Sequence, residues 1–263
     1  MVLLTAVTFW FSERLRDAAL WPINLVRDLP LRSGRLLRTI WQGIGGLVQF
    51  APEIASAIRK KELGNWLRVL PGRLARWLHL LLVSLFDLVG GPEIAQFLMH
   101  LITHTTPLTA DEIAAMASVL GPTALRYGDI RVAAGGLFDW IFKWNGNLAF
   151  TTWRTMNFPR NGRHTRTNIS IIIHELAHVY QYEQVGSRYL GEAIYMLIKT
   201  KRDCYNYDGE SGLKIAHKAN KNFLIYNREQ QAQIIQDYYM RQQMGLDTQI
   251  YDPFIQDARK GRL

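Results

Sequence analysis

The stretch that decides the fold is residues 171–183, Ile-Ile-Ile-His-Glu-Leu-Ala-His-Val-Tyr-Gln-Tyr-Glu. Apolar residues surround His174 and His178, and no proline interrupts the run, which predicts a buried α-helix. Residues four apart stack on one face of a helix, so the two imidazoles can bind the same metal ion. Glu175 follows the first histidine and can reach a water molecule on that ion.

This spacing is the His-Glu-x-x-His motif of zinc-dependent hydrolases. In such sites the metal lowers the pKa of its water molecule, and the carboxylate removes a proton from it. We therefore expect His174 and His178 to bind Zn²⁺ and Glu175 to act as the catalytic base. The alternative is a helix in which the two histidines are ordinary core or surface residues.

A third protein ligand is expected, because catalytic zinc usually has three and keeps one position open. The extended motif would place a histidine at position 184 and a glycine at 181, but both positions are glutamine. We therefore predict a helix over residues 223–244 with Glu229, the only carboxylate in its first two turns, as the third ligand. Asp237 on the same helix would hydrogen-bond a ligand histidine.

Other residues compete for roles at this site. His164 and, more weakly, His217 are alternatives to Glu229 as the third ligand, and Glu229 itself would otherwise be an ordinary solvated side chain. The oxyanion that forms beside the metal also needs a stabilising group. His217 and Tyr226 are the predicted catalytic residues for this task, and Arg228 is a further candidate.

The composition limits the class of protein. A chain of 263 residues suits one or two domains, and its single cysteine, Cys204, excludes an internal disulfide framework. The net charge of +9 is concentrated in residues 1–76, which contain 12 basic and 5 acidic side chains. Charge alone permits nucleic-acid binding, but no binding motif accompanies it, so no nucleic-acid partner is expected.

The predicted fold class is mainly α (α+β). A zincin-like catalytic domain at 106–245, with a small sheet beside the motif helix, follows a helical, basic, Trp/Arg-rich region at 1–105 and precedes a tail at 246–263. Prolines 22, 30, 52, 71 and 92 predict a series of short helices in the first region. Pro71 and Pro92 are each expected in the first turn of an apolar helix.

The first region contains apolar and basic segments that bear on contact with a membrane. The apolar run from Trp77 to Val89 is shorter than a bilayer requires, so no membrane span is expected. The N-terminus lacks a leading positive charge and a cleavage site, so no secretory signal is expected either. Interleaved tryptophan and arginine instead suggest peripheral contact with a membrane surface, against the alternative of a packing domain with a solvated basic face.

Strands are predicted at residues 129–132 and 149–158, after a helix that Thr109 and Glu112 cap and that stops at Gly121. Residues 151–157 are the candidate edge strand for pairing with an extended peptide substrate. The alternative is a strand that only packs against the motif helix. Residues 201–213 are expected to form an exposed loop beside a cleft.

Residues 108–245 resemble a family of bacterial zinc metallopeptidase domains of the His-Glu-x-x-His-x-x-Gln type. This family occurs in Vgr-related proteins and in proteins associated with extracellular contractile injection systems. The similarity is carried by Leu-Thr-x-x-Glu-Ile at 108–113, His-Glu-Leu-Ala-His-Val-Tyr-Gln at 174–181 and Asn-Arg-Glu-Gln-Gln-Ala at 227–232. It implies that His174, His178 and Glu229 are ligands, that Glu175 is catalytic and that Gln181 supports a ligand.

The sequence thus predicts a zinc metallopeptidase that acts on a peptide or protein. The alternative is a non-catalytic, zinc-stabilised interaction or effector domain, docked on a membrane surface. A third hypothesis is that residues 1–105 occlude the cleft. A cytoplasmic location is expected, with peripheral membrane attachment or export without a classical signal peptide as alternatives.

Overall fold

The computed structural model describes residues 2–135 and 139–263, which are mainly helical with one small sheet. The chain forms two compact units, Leu15–Ala95 and the combination of Met1–Arg14 with Gln96–Leu263. The boundary predicted at residue 105 therefore differs from the one observed. The reason is that Gln96 and His100 each hydrogen-bond the Thr155 hydroxyl, at 3.0 and 2.8 Å, which attaches their helix to the sheet.

The first region contains long helices rather than the predicted series of short ones. Helix α1 spans Val2–Arg59, α2 spans Leu63–Leu88 and α3 spans Gly91–Ile102. Three prolines lie inside α1, and Pro71 lies inside α2 instead of in its first turn, whereas Pro92 is in the first turn of α3. A proline removes one helical hydrogen bond, and tertiary contacts beyond it, such as Glu53 with Arg73, hold the helix together.

Among the described helices, α2 is the one that is long and apolar enough to cross a membrane by length and composition. It has 26 residues, because it begins at Leu63 and not near Trp77 as the apolar run suggested. Only 6% of its apolar window is buried.

The sheet belongs to the larger unit. Its strands are β1 (Thr105–Thr106), β2 (Arg131–Ala134), β3 (Phe150–Thr152) and β4 (Thr155–Phe158), in the order β1-β2-β4-β3. Strands β2 and β4 are parallel, and the other neighbours are antiparallel. The predicted strand at 149–158 is two strands, because Trp153 turns the chain with a φ of 53°. Of these two strands, therefore, only β3 lies at an edge of the sheet, and β4 is internal.

The turn at Trp153 is held by side chains from outside the sheet. A bulky residue rarely adopts a positive φ, so this conformation requires support from its surroundings. The Trp153 backbone N–H donates to the Tyr189 hydroxyl at 2.9 Å, and its indole N–H donates to Ser187 at 2.8 Å. Contacts 34 and 36 residues away in sequence thus form a hairpin that local patterns did not predict.

The remaining helices surround the sheet. They are α4 (Ala110–Leu120), α5 (Asp139–Asn145), α6 (Ile169–Val185), α7 (Arg188–Thr200), α8 (Gly209–Lys218), α9 (Arg228–Gln243) and α10 (Asp252–Arg259). The capping box of Thr109 and Glu112 is confirmed, as is the end of α4 before Gly121. Helix α6 carries the motif and lies in the core, packed against α9, α4 and the sheet.

Two predicted segments differ in detail. The helix expected over 223–244 begins as a 3₁₀ turn, Phe223–Ile225, and α9 proper starts after Asn227, whose side chain caps it. The segment 246–263 was expected to be a tail, yet α10 buries Phe254 and Ile255 in the core. Adjacent apolar residues in this short helix provide enough apolar area to hold it on the core.

Candidate metal centre

Three side chains from two helices meet inside the larger unit. His174 and His178 lie one turn apart on α6, and Glu229 lies in the first turn of α9, which packs directly against α6. All three are buried, and their ligand atoms lie within 4.8 Å of one another. They are close enough to hold a metal ion, as the sequence predicted for this group.

The distances between the ligand atoms of this triad, His174, His178 and Glu229, are longer than those of a direct ion pair. The Nε2 atoms of His174 and His178 lie 3.4 and 3.3 Å from Glu229 Oε2. A direct ion pair between an imidazolium and a carboxylate is usually shorter, about 2.7–2.9 Å. Ligands at about 2.0–2.1 Å in a tetrahedron are separated by about 3.3 Å, so these two separations are wide enough for a metal ion to be held between the side chains.

Two glutamines orient the histidine rings. Gln181 Oε1 lies 2.9 Å from His178 Nδ1, and Gln236 Oε1 lies 3.1 Å from His174 Nδ1. The orientation of the Gln181 amide is set by its NH₂ group, which donates to the Arg228 carbonyl at 2.8 Å. Because an amide oxygen only accepts, Nδ1 of His178 carries a proton, and in the neutral imidazole Nε2 therefore has the free lone pair.

The prediction for Asp237 is corrected by this geometry. Asp237 accepts hydrogen bonds from the Tyr207 hydroxyl and from Gln233, and it makes no hydrogen bond to a ligand histidine. Gln236 occupies that role instead. It lies seven residues after Glu229, two helical turns away, and therefore on the same face of α9. That spacing is the sequence signal that would have identified it.

Glu175 lies beside the triad and is held by the sheet. The Thr151 hydroxyl, on β3, donates to Glu175 Oε2 at 2.7 Å and is 3.2 Å from the Glu175 carbonyl oxygen. Burial raises the pKa of the Glu175 carboxyl above its ordinary value, against the opposing effect of the two histidines. A carboxyl with a raised pKa binds a proton more readily, which suits a proton acceptor.

Glu229 and the two histidines shift the pKa values of one another. Burial alone would raise the pKa of Glu229, but the two histidines hold it well below the ordinary range. Burial would likewise lower the pKa of His178, yet the Glu229 carboxylate raises it to about 9. Glu229 thus keeps its negative charge inside the protein, beside the two imidazoles that stabilise it.

Cavities open on two sides of the triad. One, of about 330 Å³, is lined by His174, Glu175, His164, Tyr205 and residues of α6 and α9. The other, of about 110 Å³, is lined by the whole triad and by apolar residues of β3 and α7. The Tyr205 ring is centred 5.8 Å from that of His174, and Tyr205 lines both cavities. The segment 201–213, predicted to be an exposed loop, instead contains a 3₁₀ helix, Lys201–Tyr205, and the start of α8, and it buries Tyr207 and Leu213. It does border the cavities, through Tyr205, a residue that the sequence did not single out.

The other sequence candidates lie elsewhere. His217 is exposed in the last turn of α8, and it lines neither cavity. Tyr226 packs edge-on against Phe254, and its hydroxyl has no hydrogen-bond partner among the described residues. Arg228 is buried and pairs with Glu192 at 2.7 Å. None of these three residues lines either cavity or belongs to the group of converging ligand atoms.

His164 is the one competitor that remains near the site. It lines the larger cavity together with His174, but it does not belong to the group of converging ligand atoms.

Comparison of the chain with protein-family models, curated proteins and solved structures yields no match. The interpretation of the site therefore rests on its own geometry.

Proposed function

We propose that this protein is a zinc-dependent peptidase. The observation that carries the proposal is the convergence of His174 Nε2, His178 Nε2 and Glu229 Oε2 at separations suited to a zinc ion, with the Glu175 carboxylate beside them. Two imidazoles and one carboxylate are a ligand set that zinc accepts. Among the described residues no fourth His, Cys, Asp or Glu joins the group, which leaves a position for water.

The chemistry expected of the site follows from these parts. A zinc ion supplies a Lewis acid that activates water and polarises a carbonyl group. Glu175 would accept the proton of the attacking water and deliver it to the leaving amine. The hydrogen bond from Thr151 keeps one Glu175 oxygen fixed, so that the other is directed to the reacting water.

The cavities support a peptide substrate. The smaller cavity is lined by Phe150 of β3 and by Leu190, Ile194 and Leu197 of α7, which suit an apolar side chain. Pairing of a peptide along β3 is restricted at one point, because the Thr151 carbonyl accepts a hydrogen bond from Tyr189 at 3.0 Å. A backbone contact is therefore expected nearer Ala149, which lines both cavities.

A zincin-like fold and a relationship to the metallopeptidase domains of injection-system proteins belong to the same proposal. Its support is a motif helix packed beside a small mixed sheet, with a glutamate supplied by a later helix. Gln181, which the resemblance names, does hydrogen-bond a ligand histidine.

The deciding experiment is Glu175→Gln. We expect the variant to keep about one zinc per chain, measured by elemental analysis, and to lose hydrolysis of casein and of a quenched fluorogenic peptide library by about 10²–10⁴-fold. Asp247→Asn, an exposed carboxylate on the surface, is the matched control and should keep full activity. Equal hydrolysis by Glu175→Gln and the control would refute the proposal.

The same experiment tests the alternative function. If the wild-type chain binds zinc but cleaves neither probe, and Glu175→Gln behaves identically, the metal serves folding alone and the domain is a zinc-stabilised binding module.

A further inference from the structure

The smaller unit, Leu15–Ala95, has its polar and apolar side chains in the reverse of the usual arrangement. Its buried residues include Asn24, Arg32, Thr39, Asp87 and Glu93. Ala57 and Pro92 are the only apolar side chains among its described residues that are buried. A soluble domain normally stabilises itself with a buried apolar core, which this unit lacks.

The contacts between α1 and α2 explain which groups are inside. The two helices form an antiparallel hairpin, in which Arg73 pairs with Glu53 at 2.5 Å and the Trp77 indole donates to the Thr39 carbonyl at 2.9 Å. Trp77 packs against Gly43 so closely that a methyl group there would overlap its ring. Polar contacts, a close backbone approach and one edge-on aromatic pair, Phe50 with Trp66, thus join the two helices.

Each helix of the hairpin has an apolar stripe beside its contact stripe. The members of each stripe recur at helical intervals, and all of them are exposed. In α2 they are Leu63, Leu67, Leu74, Leu78, Leu82 and Leu85, and in α1 they are Ile40, Ile44, Leu47, Val48 and Ile58. The contact stripe of each helix is the row of residues that faces the other helix. Viewed from the N-terminus of either helix, the apolar stripe is displaced from the contact stripe in the same direction around the helix axis. Since the helices are antiparallel and their contact stripes face each other, both apolar stripes lie on one face of the hairpin.

The opposite face of the hairpin is polar and basic. It carries Arg38, Gln42 and Gln49 from α1 and Asn65, Arg68, Arg76 and His79 from α2, all exposed. The unit contains 11 Lys and Arg against 6 Asp and Glu. Six of the basic residues make no ion pair among the described residues: Arg38, Arg59, Lys60, Lys61, Arg68 and Arg76. They leave the unit with a net positive charge that attracts it to an anionic surface.

We propose that this hairpin binds flat on an anionic phospholipid bilayer, with its apolar face inserted at the boundary between headgroups and acyl chains. A large apolar face, a basic polar face and exposed tryptophan, such as Trp41 at 75% exposure, are the features of an interfacial helix pair. A spanning orientation is disfavoured because it would place Arg76, near the middle of α2, in the hydrocarbon centre. This inference is independent of the metal centre.

Two double variants of the full chain test the proposal. Val48→Glu with Leu78→Glu places two charges on the apolar face, where the side chains are 71% and 49% exposed. Gln49→Glu with His79→Glu places the same charges on the polar face, one residue further along each helix. Both pairs are at exposed positions, so both variants are expected to fold, which circular dichroism and zinc content would check.

The readout is co-sedimentation with vesicles of phosphatidylcholine and phosphatidylserine. We expect the apolar-face variant to bind at least ten-fold more weakly than the polar-face variant, although both change the net charge similarly. Equal binding by the two variants would overturn the proposal. A second result would also overturn it: the wild-type chain does not bind vesicles but self-associates in solution, and the apolar-face variant abolishes this self-association. A second copy of the chain would then cover this face.

Orientation is tested with spin labels. In a Cys204→Ser background, nitroxides at positions 48 and 78 should be reached by oxygen dissolved in the bilayer, and those at 49 and 79 by a water-soluble relaxation agent. Contact with lipid that depends on the face supports a flat hairpin. Contact that instead depends on position along the helix, with equal values at 48 and 49, would indicate a span and overturn the flat orientation.

Discussion

His174 and His178 are each oriented by an amide side chain. The contribution of Gln181 to zinc affinity can therefore be measured. Gln181→Met keeps a similar volume but removes the acceptor that fixes the Nδ1–H of His178. We expect zinc affinity, measured by competition with a chromophoric chelator, to fall by about 10–100-fold. Gln184→Met on the same helix is the control and should match the wild type. Unchanged affinity in Gln181→Met would show that the ring needs no such support.

In the proposed reaction, Tyr205 is our candidate for the group that would stabilise the oxyanion. Its ring lies beside His174 and lines both cavities. In Tyr205→Phe we expect kcat to fall by about 10²–10³-fold with little change in KM, as for the loss of one oxyanion donor. Tyr226→Phe, in the aromatic cluster away from the cavities, should behave as the wild type. A larger loss of kcat in Tyr226→Phe than in Tyr205→Phe would instead favour Tyr226, the residue predicted from the sequence.

These residues show where sequence reasoning was sufficient at this scale. The spacing of His174, Glu175 and His178 is local, so one helical turn determines their arrangement. The choice of Gln236 over Asp237 depends on which part of α9 faces α6, and that is a property of the packed pair. Tyr226 was one of several candidates for the oxyanion, but it follows a 3₁₀ turn and packs against Phe254 in another part of the core.

At the scale of elements, Glu112 ties the start of α4 to the loop before α6. It accepts two hydrogen bonds from Arg166, at 2.7 and 2.8 Å, and one from the Thr109 backbone. Burial alone would raise the pKa of Glu112, but these hydrogen bonds hold it below its ordinary value. The folded state therefore binds a proton here less readily than the unfolded chain does.

This depressed pKa gives a prediction of stability against pH. Glu112→Gln should cost about 1–3 kcal/mol of the free energy of unfolding at neutral pH. The difference from the wild type should be complete above about pH 4.5, the ordinary pKa, and should disappear as the pH falls through the lower pKa of the folded state. Urea unfolding at several pH values measures it. Asp111→Asn, at the exposed neighbouring position, should show no such dependence.

The long helices give the clearest difference between expectation and structure at this scale. Prolines predict breaks because each removes a hydrogen bond, yet α1 continues through Pro22, Pro30 and Pro52. The pairs Arg32–Glu93 and Glu53–Arg73 hold the segments that follow two of these prolines. Such contacts join residues 61 and 20 positions apart, so a local pattern cannot include them.

At the scale of the whole molecule, a metal in the triad would link α6 to α9 and so contribute to folding. Zinc at about 1,000 times its Kd stabilises a folded state by about 4 kcal/mol. We therefore expect a chelator to lower the Tm of the zinc-loaded chain by several degrees and to leave that of His174→Ala unchanged. Calorimetry measures both. An equal Tm of the wild type with and without chelator would show that the triad holds no metal.

The two units also differ in what stabilises them. The larger unit buries a continuous apolar core that includes Leu176, Ile235 and Phe254. The smaller unit exposes most of its apolar side chains, so its charge and amphipathic pattern point to a surface role rather than to a core. The proposed contact with anionic lipid would account for the excess of basic residues in the first part of the sequence.

The sequence by itself determined the motif helix, its capped neighbour α4 and the three residues His174, Glu175 and His178, because helical periodicity and capping act over a few residues. It also indicated Glu229, as the one carboxylate early in a later helix. Only the tertiary structure decided that Glu229 meets the histidines, that Thr151 holds Glu175 and that Trp153 divides a strand in two. These contacts join residues 24 to 55 positions apart, and their geometry depends on how whole elements pack.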